Sequence, residues 1–265
     1  MSHATLRWTV ADAWTMTRRT LLHWRRSPGA PLVAVAFPVL LLVLFGYLMG
    51  GQMEVPGGVS YFELLVPGLF ALTMAFGVEA TMLAVSTDAS RGVTDHLRSM
   101  PMASSAVLAG RAAADMLQSA IGLLVLAAVG VAVGWRWHEG AGDALVAFAL
   151  LLWLRFALVW AGILLGLLAK GPESVMAVQI LVWPVGFLSS AFVSPASMPG
   201  WLGAIAQWNP LSATAAAVRE RFGNPAWGGE SWATEHAELL AVLWPLALLV
   251  VLAPLAVRRW RSLGA

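Results

Sequence analysis

The stretch Pro31–Met49 reads PLVAVAFPVLLLVLFGYLM and carries no charged side chain. At 1.5 Å rise per residue, about 20 apolar residues in a helix cross the roughly 30 Å hydrocarbon core of a bilayer. Five further stretches have the same character. Residues 63–86 carry only Glu63 and Glu79, 108–133 only Arg111 and Asp115, and 144–168 only Arg155, while 174–193 and 239–257 are uncharged. The whole composition agrees. Of 265 residues, 16 are Lys or Arg and 14 are Asp or Glu; 59% are hydrophobic, 11% are charged, and the mean hydropathy is +0.76. A soluble domain carries roughly 25% charge. The sequence therefore predicts an all-α integral membrane protein with six transmembrane helices. A barrel is excluded, because its strands would alternate apolar and polar residues. With no cysteine there are no disulfides or thiol chemistry, and a net charge of +2 is too small for a nucleic-acid partner.

Basic residues concentrate on the cytoplasmic side of bilayer-spanning chains. With a cytoplasmic N-terminus, that side holds Arg7, Arg18, Arg19, Arg25, Arg26, Arg91, Arg98, Arg111, Lys170, Arg258, Arg259 and Arg261. The other side holds Arg136, Arg219 and Arg221, and Arg155 lies within a span. Twelve against three places both termini in the cytoplasm. The tryptophans of the outer loops (135, 137, 201, 208, 227 and 232) suit interfacial anchoring. No apolar stretch followed by a cleavage site opens the chain, so no signal peptide is expected.

Three segments lie outside the spans. Residues 4–26 are expected to form an interfacial helix, with Leu6, Val10, Trp14, Leu21 and Trp24 on one arc and arginines on the next. Such a helix either anchors the chain or couples it to a cytoplasmic partner. Residues 87–107 form an inner loop with mixed charges at Asp88, Arg91, Asp95 and Arg98, longer than a simple connector needs. Residues 194–235 form an outer segment punctuated by Pro195, Pro199 and Pro210, serving as a packed cap or as part of a gate.

Familiar catalytic patterns are missing. The single lysine, Lys170, stands between Ala169 and Gly171, so no phosphate-binding Gly-Lys-Ser/Thr is present and any ATP must be hydrolysed by another chain. The five histidines show no metal-ligand spacing; Glu235, His236 and Glu238 fit a solvated turn. Within the spans, Glu79 and Arg155 stand out, since a charge near the bilayer centre costs about 2.5–3.5 kcal/mol or more. They are expected either to pair and lock the helices or to line a translocation route. Arg111 and Asp115, one turn apart, fit an i,i+4 surface pair.

Two fragments narrow the class. The first is Arg91-Gly92-Val93-Thr94-Asp95-His96-Leu97-Arg98-Ser99-Met100-Pro101-Met102. The second is Phe192, Pro195 and Met198-Pro199-Gly200-Trp201-Leu202, followed by Asn209-Pro210-Leu211-Ser212 and Arg219. In a six-span frame they resemble the permease subunit of type-2 ABC exporters, in particular bacterial daunorubicin-type drug-resistance permeases. The chain departs from many members in having Ala103, Ser104 and Ser105 where a basic residue follows the first motif.

The resemblance implies a non-enzymatic permease in the bacterial plasma membrane, paired with a second copy and with two copies of an ABC ATPase that binds ATP and Mg2+. Residues Arg91, Gly92, Asp95, Leu97, Arg98 and Pro101 would form the coupling helix on that ATPase. Pro199, Trp201, Asn209 and Pro210 would belong to outer re-entrant helices. The substrate would be a hydrophobic or amphipathic drug-like or lipid-like molecule. A polysaccharide or lipid-linked polymer exporter, a proton-coupled transporter using Glu79 and Arg155, and a membrane assembly protein are the competing readings.

Overall fold

The computed structural model describes residues 14–15, 17–18, 22, 26, 29–51, 55, 58–94, 104–169, 171–228 and 231–263. Among them there is no strand. The helices are α1 (Gly29–Met49), α2 (Tyr61–Ser90), α3 (Ser104–Ala132), α4 (Ala141–Leu168) and α5 (Pro172–Phe187). After a 3-10 turn at Pro195–Ser197 come α6 (Gly200–Gln207), α7 (Pro210–Phe222), α8 (Trp232–Glu235) and α9 (Ala237–Ser262).

Five of these are long and apolar enough to cross a bilayer: Leu32–Met49, Tyr61–Ser90, Val107–Ala132, Ala141–Leu168 and Ala237–Ser262. The stretch 174–193, anticipated as a sixth span, is helical only to Phe187, so α5 has 16 residues and is about 24 Å long. Pro184 weakens the helix, and the next residues turn their polar groups elsewhere. Ser189 Oγ donates to the Gly186 carbonyl at 2.6 Å, and the Ser190 N–H donates to Ser212 Oγ at 2.9 Å. Of the anticipated interfacial helix, residues 14, 15, 17, 18, 22 and 26 are described, all helical. Thr17 there is buried, its hydroxyl donating to the Gly110 carbonyl of α3 at 3.1 Å.

The second helix is the axis of the molecule. It packs on α1, α3, α4, α5 and α7, and Leu64 to Leu72 are all buried. Its contact with α4 is the most extensive, and two glycines allow it. A Cβ at Gly162 would lie 2.7 Å from Thr81 Cβ, and one at Gly166 2.6 Å from Val85 Cβ. Without water to drive helices together, close backbone approach through small residues supplies the packing. At its far end α2 stops at Gly92, whose φ of +69° is the left-handed turn that ends many helices.

The opposite end is closed by an aromatic plug. Trp135 is fully buried, with Phe70 at 5.3 Å and Phe222 at 5.1 Å between ring centroids. Its indole N–H donates to Asn224 Oδ1 at 2.9 Å. Trp135 is thus a core residue and not an interfacial anchor, which corrects the sequence expectation. The turn at Gly134 (φ +108°) folds the ring inward, and Asn224 supplies the acceptor a buried indole needs. Trp137, Trp201, Trp208 and Trp232 do remain exposed. Around the bundle, α1 and α5 leave Leu40, Leu44, Leu48, Ile180 and Leu181 uncovered, apolar faces suited to lipid or to another helix.

Candidate functional site

A cavity of about 1490 Å³ opens between α1, α2, α3 and α5, with Trp260 of α9 at its edge. One wall is aromatic. Phe37 of α1, Phe76 of α2 and Trp183 of α5 meet with centroid distances of 5.8, 5.4 and 4.7 Å. The chain of rings continues through Phe187 and Phe192 to Phe45. The other wall is polar and holds Arg155, Thr81, Ser119 and Asp115.

Arg155 projects from α4 and is 3% exposed. Its Nε donates to Ser119 Oγ and one Nη to Thr81 Oγ1, both at 2.8 Å. Each hydroxyl donates in turn to its own helix: Ser119 to the Asp115 carbonyl at 2.8 Å, Thr81 to the Gly77 carbonyl at 3.1 Å. Back-bonding leaves the hydroxyl lone pairs aimed at the guanidinium. Gly77 gives it room, since a Cβ there would lie 2.5 Å from Arg155 Cζ. The offsetting charge is Asp115, which is 4% exposed and bonded to Arg111 at 3.1 Å. Arg111 and Asp115 are therefore no surface pair. Asp115 faces the buried Arg155 guanidinium as well as Arg111, because α3 turns that side toward α4 and the cavity.

Glu79 sits on the same cavity without reaching Arg155. Gln179 Nε2 of α5 donates to its Oε2 at 3.2 Å, and its Oε1 is buried with no hydrogen-bond partner. The reason is helical phase. At about 100° per residue, Gly77 and Thr81 share the face of α2 that meets Arg155, while Glu79, two residues from each, is turned by roughly 160°. Phe76, three residues before Glu79, shares its side and brings the aromatic wall beside the carboxylate. Of the two alternatives, the Glu79–Arg155 ion pair is not formed in this conformation, and both residues line the cavity. Thr81, Ser119 and Gln179 escaped the sequence reading, because single Ser, Thr and Gln in apolar runs give no signal alone. The spacing of Gly77 to Thr81 and of Asp115 to Ser119 was the available clue.

The second motif builds the opposite end. Asn209 Oδ1 accepts from the Leu211 N–H at 2.9 Å, capping α7 ahead of Pro210. Its Nδ2 donates to the carbonyls of Val185 at 2.8 Å and Leu188 at 3.2 Å, tying α7 to the end of α5. Arg219 is 1% exposed and bonds only backbone. Its guanidinium donates to Leu64 O twice (3.1 and 2.9 Å), Ser190 O (2.9 Å) and Ala191 O (3.0 Å). Arg221 bridges Asp143 of α4 at 2.8 Å and Glu238 of α9. Glu63 bonds His138 at 2.8 Å. His236 stacks on Trp232 at 4.5 Å. Pro199 starts α6, and Trp201 is 70% exposed.

Of the predicted coupling residues, Arg91 and Gly92 end α2, and Arg91 lines the cavity mouth. Asp95, Leu97, Arg98 and Pro101 lie outside the described residues.

The chain is 29% identical to the daunorubicin resistance ABC transporter permease protein DrrB1 of Streptomyces coeruleorubidus, over 97% of this chain and 88% of the relative. It is 26% identical to the "probable doxorubicin resistance ABC transporter permease protein DrrC" of Mycobacterium tuberculosis, over 79% of this chain and 76% of the relative. The model of the ABC-2 type transporter family matches residues 11–222, and the chain belongs to that family.

Proposed function

We propose that this chain is the membrane-spanning permease of an exporter that moves hydrophobic or amphipathic molecules, powered by a separate ABC ATPase. The observation that carries the reading is the cavity of about 1490 Å³, walled by Phe37, Phe76 and Trp183, in a chain of the ABC-2 family. Its size is above the usual range for drug-sized sites, about 300–1,000 Å³. The names of its relatives point the same way.

In this reading α5 is the short sixth crossing, α6 and α7 form the re-entrant pair, and both termini are cytoplasmic. Two copies of the permease then sit on two ATPase subunits, which bind ATP and Mg2+. The segment from Arg91 to Pro101 docks on the ATPase, and Gly92 lets α2 turn into it. Movement of the ATPase pair is thereby applied to α2, the helix that carries Glu79 and the Thr81 contact to Arg155. Export further requires that the cavity bind its substrate unequally in the two states.

The test is reconstitution of the permease with its ABC ATPase in proteoliposomes. ATP-dependent movement of an amphipathic fluorescent dye, abolished by an ATPase-inactive partner, is the expected result. Movement driven by a proton gradient with no ATPase present would overturn the proposal.

A further inference from the structure

We infer that Glu79, Gln179 and the Phe37–Phe76–Trp183 wall form a recognition site for an organic cation, so that the exported amphipath carries a positive charge. The inference rests on the export reading above and adds the charge and the contact residues.

Three features converge. Glu79 is a carboxylate inside the bundle whose Oε1 is buried without a hydrogen-bond partner, while Gln179 Nε2 steadies Oε2 at 3.2 Å. A buried acceptor left open is costly, so an occupant that donates to it or carries positive charge is favoured. Rings of the kind that attract cations stand alongside: Phe76 is on the Glu79 side of α2, and Trp183 is one turn beyond Gln179 on α5. Two of the arginines that line the cavity are engaged on its polar wall. Arg155 is held by Thr81 and Ser119, and Arg111 by Asp115. Arg91 is twelve residues along α2 from Glu79, roughly 18 Å away. Arg18 and Arg26 also line the cavity, from the N-terminal segment: Arg26 stands eleven residues before Phe37, and Arg18 follows Thr17, which bonds Gly110 of α3.

The experiment uses the full chain in nanodiscs and labelled tetraphenylphosphonium, a bulky hydrophobic cation, with binding to empty nanodiscs subtracted. Wild-type protein is expected to bind it and to prefer it over tetraphenylborate, an anion of the same shape. Glu79→Gln should weaken binding by at least about tenfold, Glu79→Asp should stay within a few-fold of wild type, and Trp183→Leu should lose about threefold. Wild-type affinity in Glu79→Gln, or a preference for the anion, overturns the inference. If Glu79→Gln does not elute as one folded species, the cation–anion preference of wild type and the Trp183→Leu loss decide. A parallel assay of ATP-dependent export of an uncharged amphipath separates the two claims. Export without cation selectivity defeats this site alone, whereas no export of either probe defeats the transport reading.

Discussion

Two arginines inside the bundle show how one residue type serves two ends. Arg219 spends its donors on carbonyls of Leu64, Ser190 and Ala191, so it acts as a backbone clamp. A lysine presents one compact ammonium in place of the guanidinium fork and cannot reach all three. Arg219→Lys should lower stability by about 3 kcal/mol, read as a fall in the Tm of the detergent-solubilised protein. Arg155 instead takes hydroxyls, each of which keeps a partner on its own helix. Arg155→Met should therefore cost about 1 kcal/mol or less. Asp115→Asn leaves two guanidiniums without their counter-charge and should cost about 2 kcal/mol or more. The double variant should be milder than the sum. A cycle of Glu79→Gln with Arg155→Met should add within about 0.5 kcal/mol, because those two residues have different partners.

At the level of elements, glycine and asparagine set the helix contacts. Gly166→Leu would drive atoms into Val85 and the Met82 carbonyl, 2.6 and 2.9 Å from the new Cβ. It should separate α2 from α4 and cost about 3 kcal/mol, measured by thermal unfolding. Gly142→Ala meets nothing within 4 Å in the first turn of α4 and should be neutral or stabilising. Asn209 tests the clamp between α5 and α7. Asn209→Ala should lose about 2 kcal/mol. Asn209→Asp keeps the cap but turns an acceptor toward the carbonyls of Val185 and Leu188, so it should be no better than alanine in a Tm comparison. The sequence made the long apolar helices plain, since charge-free length is a one-dimensional property. It left the end of α5 unseen, because unwinding at Leu188 to Phe192 depends on Ser212, Asn209 and Arg219 arriving from α7. Trp135 was misplaced for a like reason, its acceptor Asn224 lying 89 residues away. Glu79 and Arg155 were legible as costly charges, but their partners were fixed by helix phase across three neighbours.

On the scale of the whole molecule, the bundle is tight at the Trp135 end and open along the cavity between α1 and α5. In the proposed export reading, that asymmetry supplies a closed far end and a wide intake beside Arg91. It also makes the central claim directly measurable, because the chain has no native cysteine and any single cysteine introduced is the only one. Ala80 lines the cavity, whereas Ala149 is exposed on α4 away from it. The decisive measurement is ATP-driven dye export by the ATPase-bearing complex before and after reaction of Ala80→Cys or Ala149→Cys with a bulky maleimide. A cavity that is the transport route predicts loss of most export for labelled Ala80→Cys and retention for labelled Ala149→Cys. Full export by labelled Ala80→Cys would contradict it.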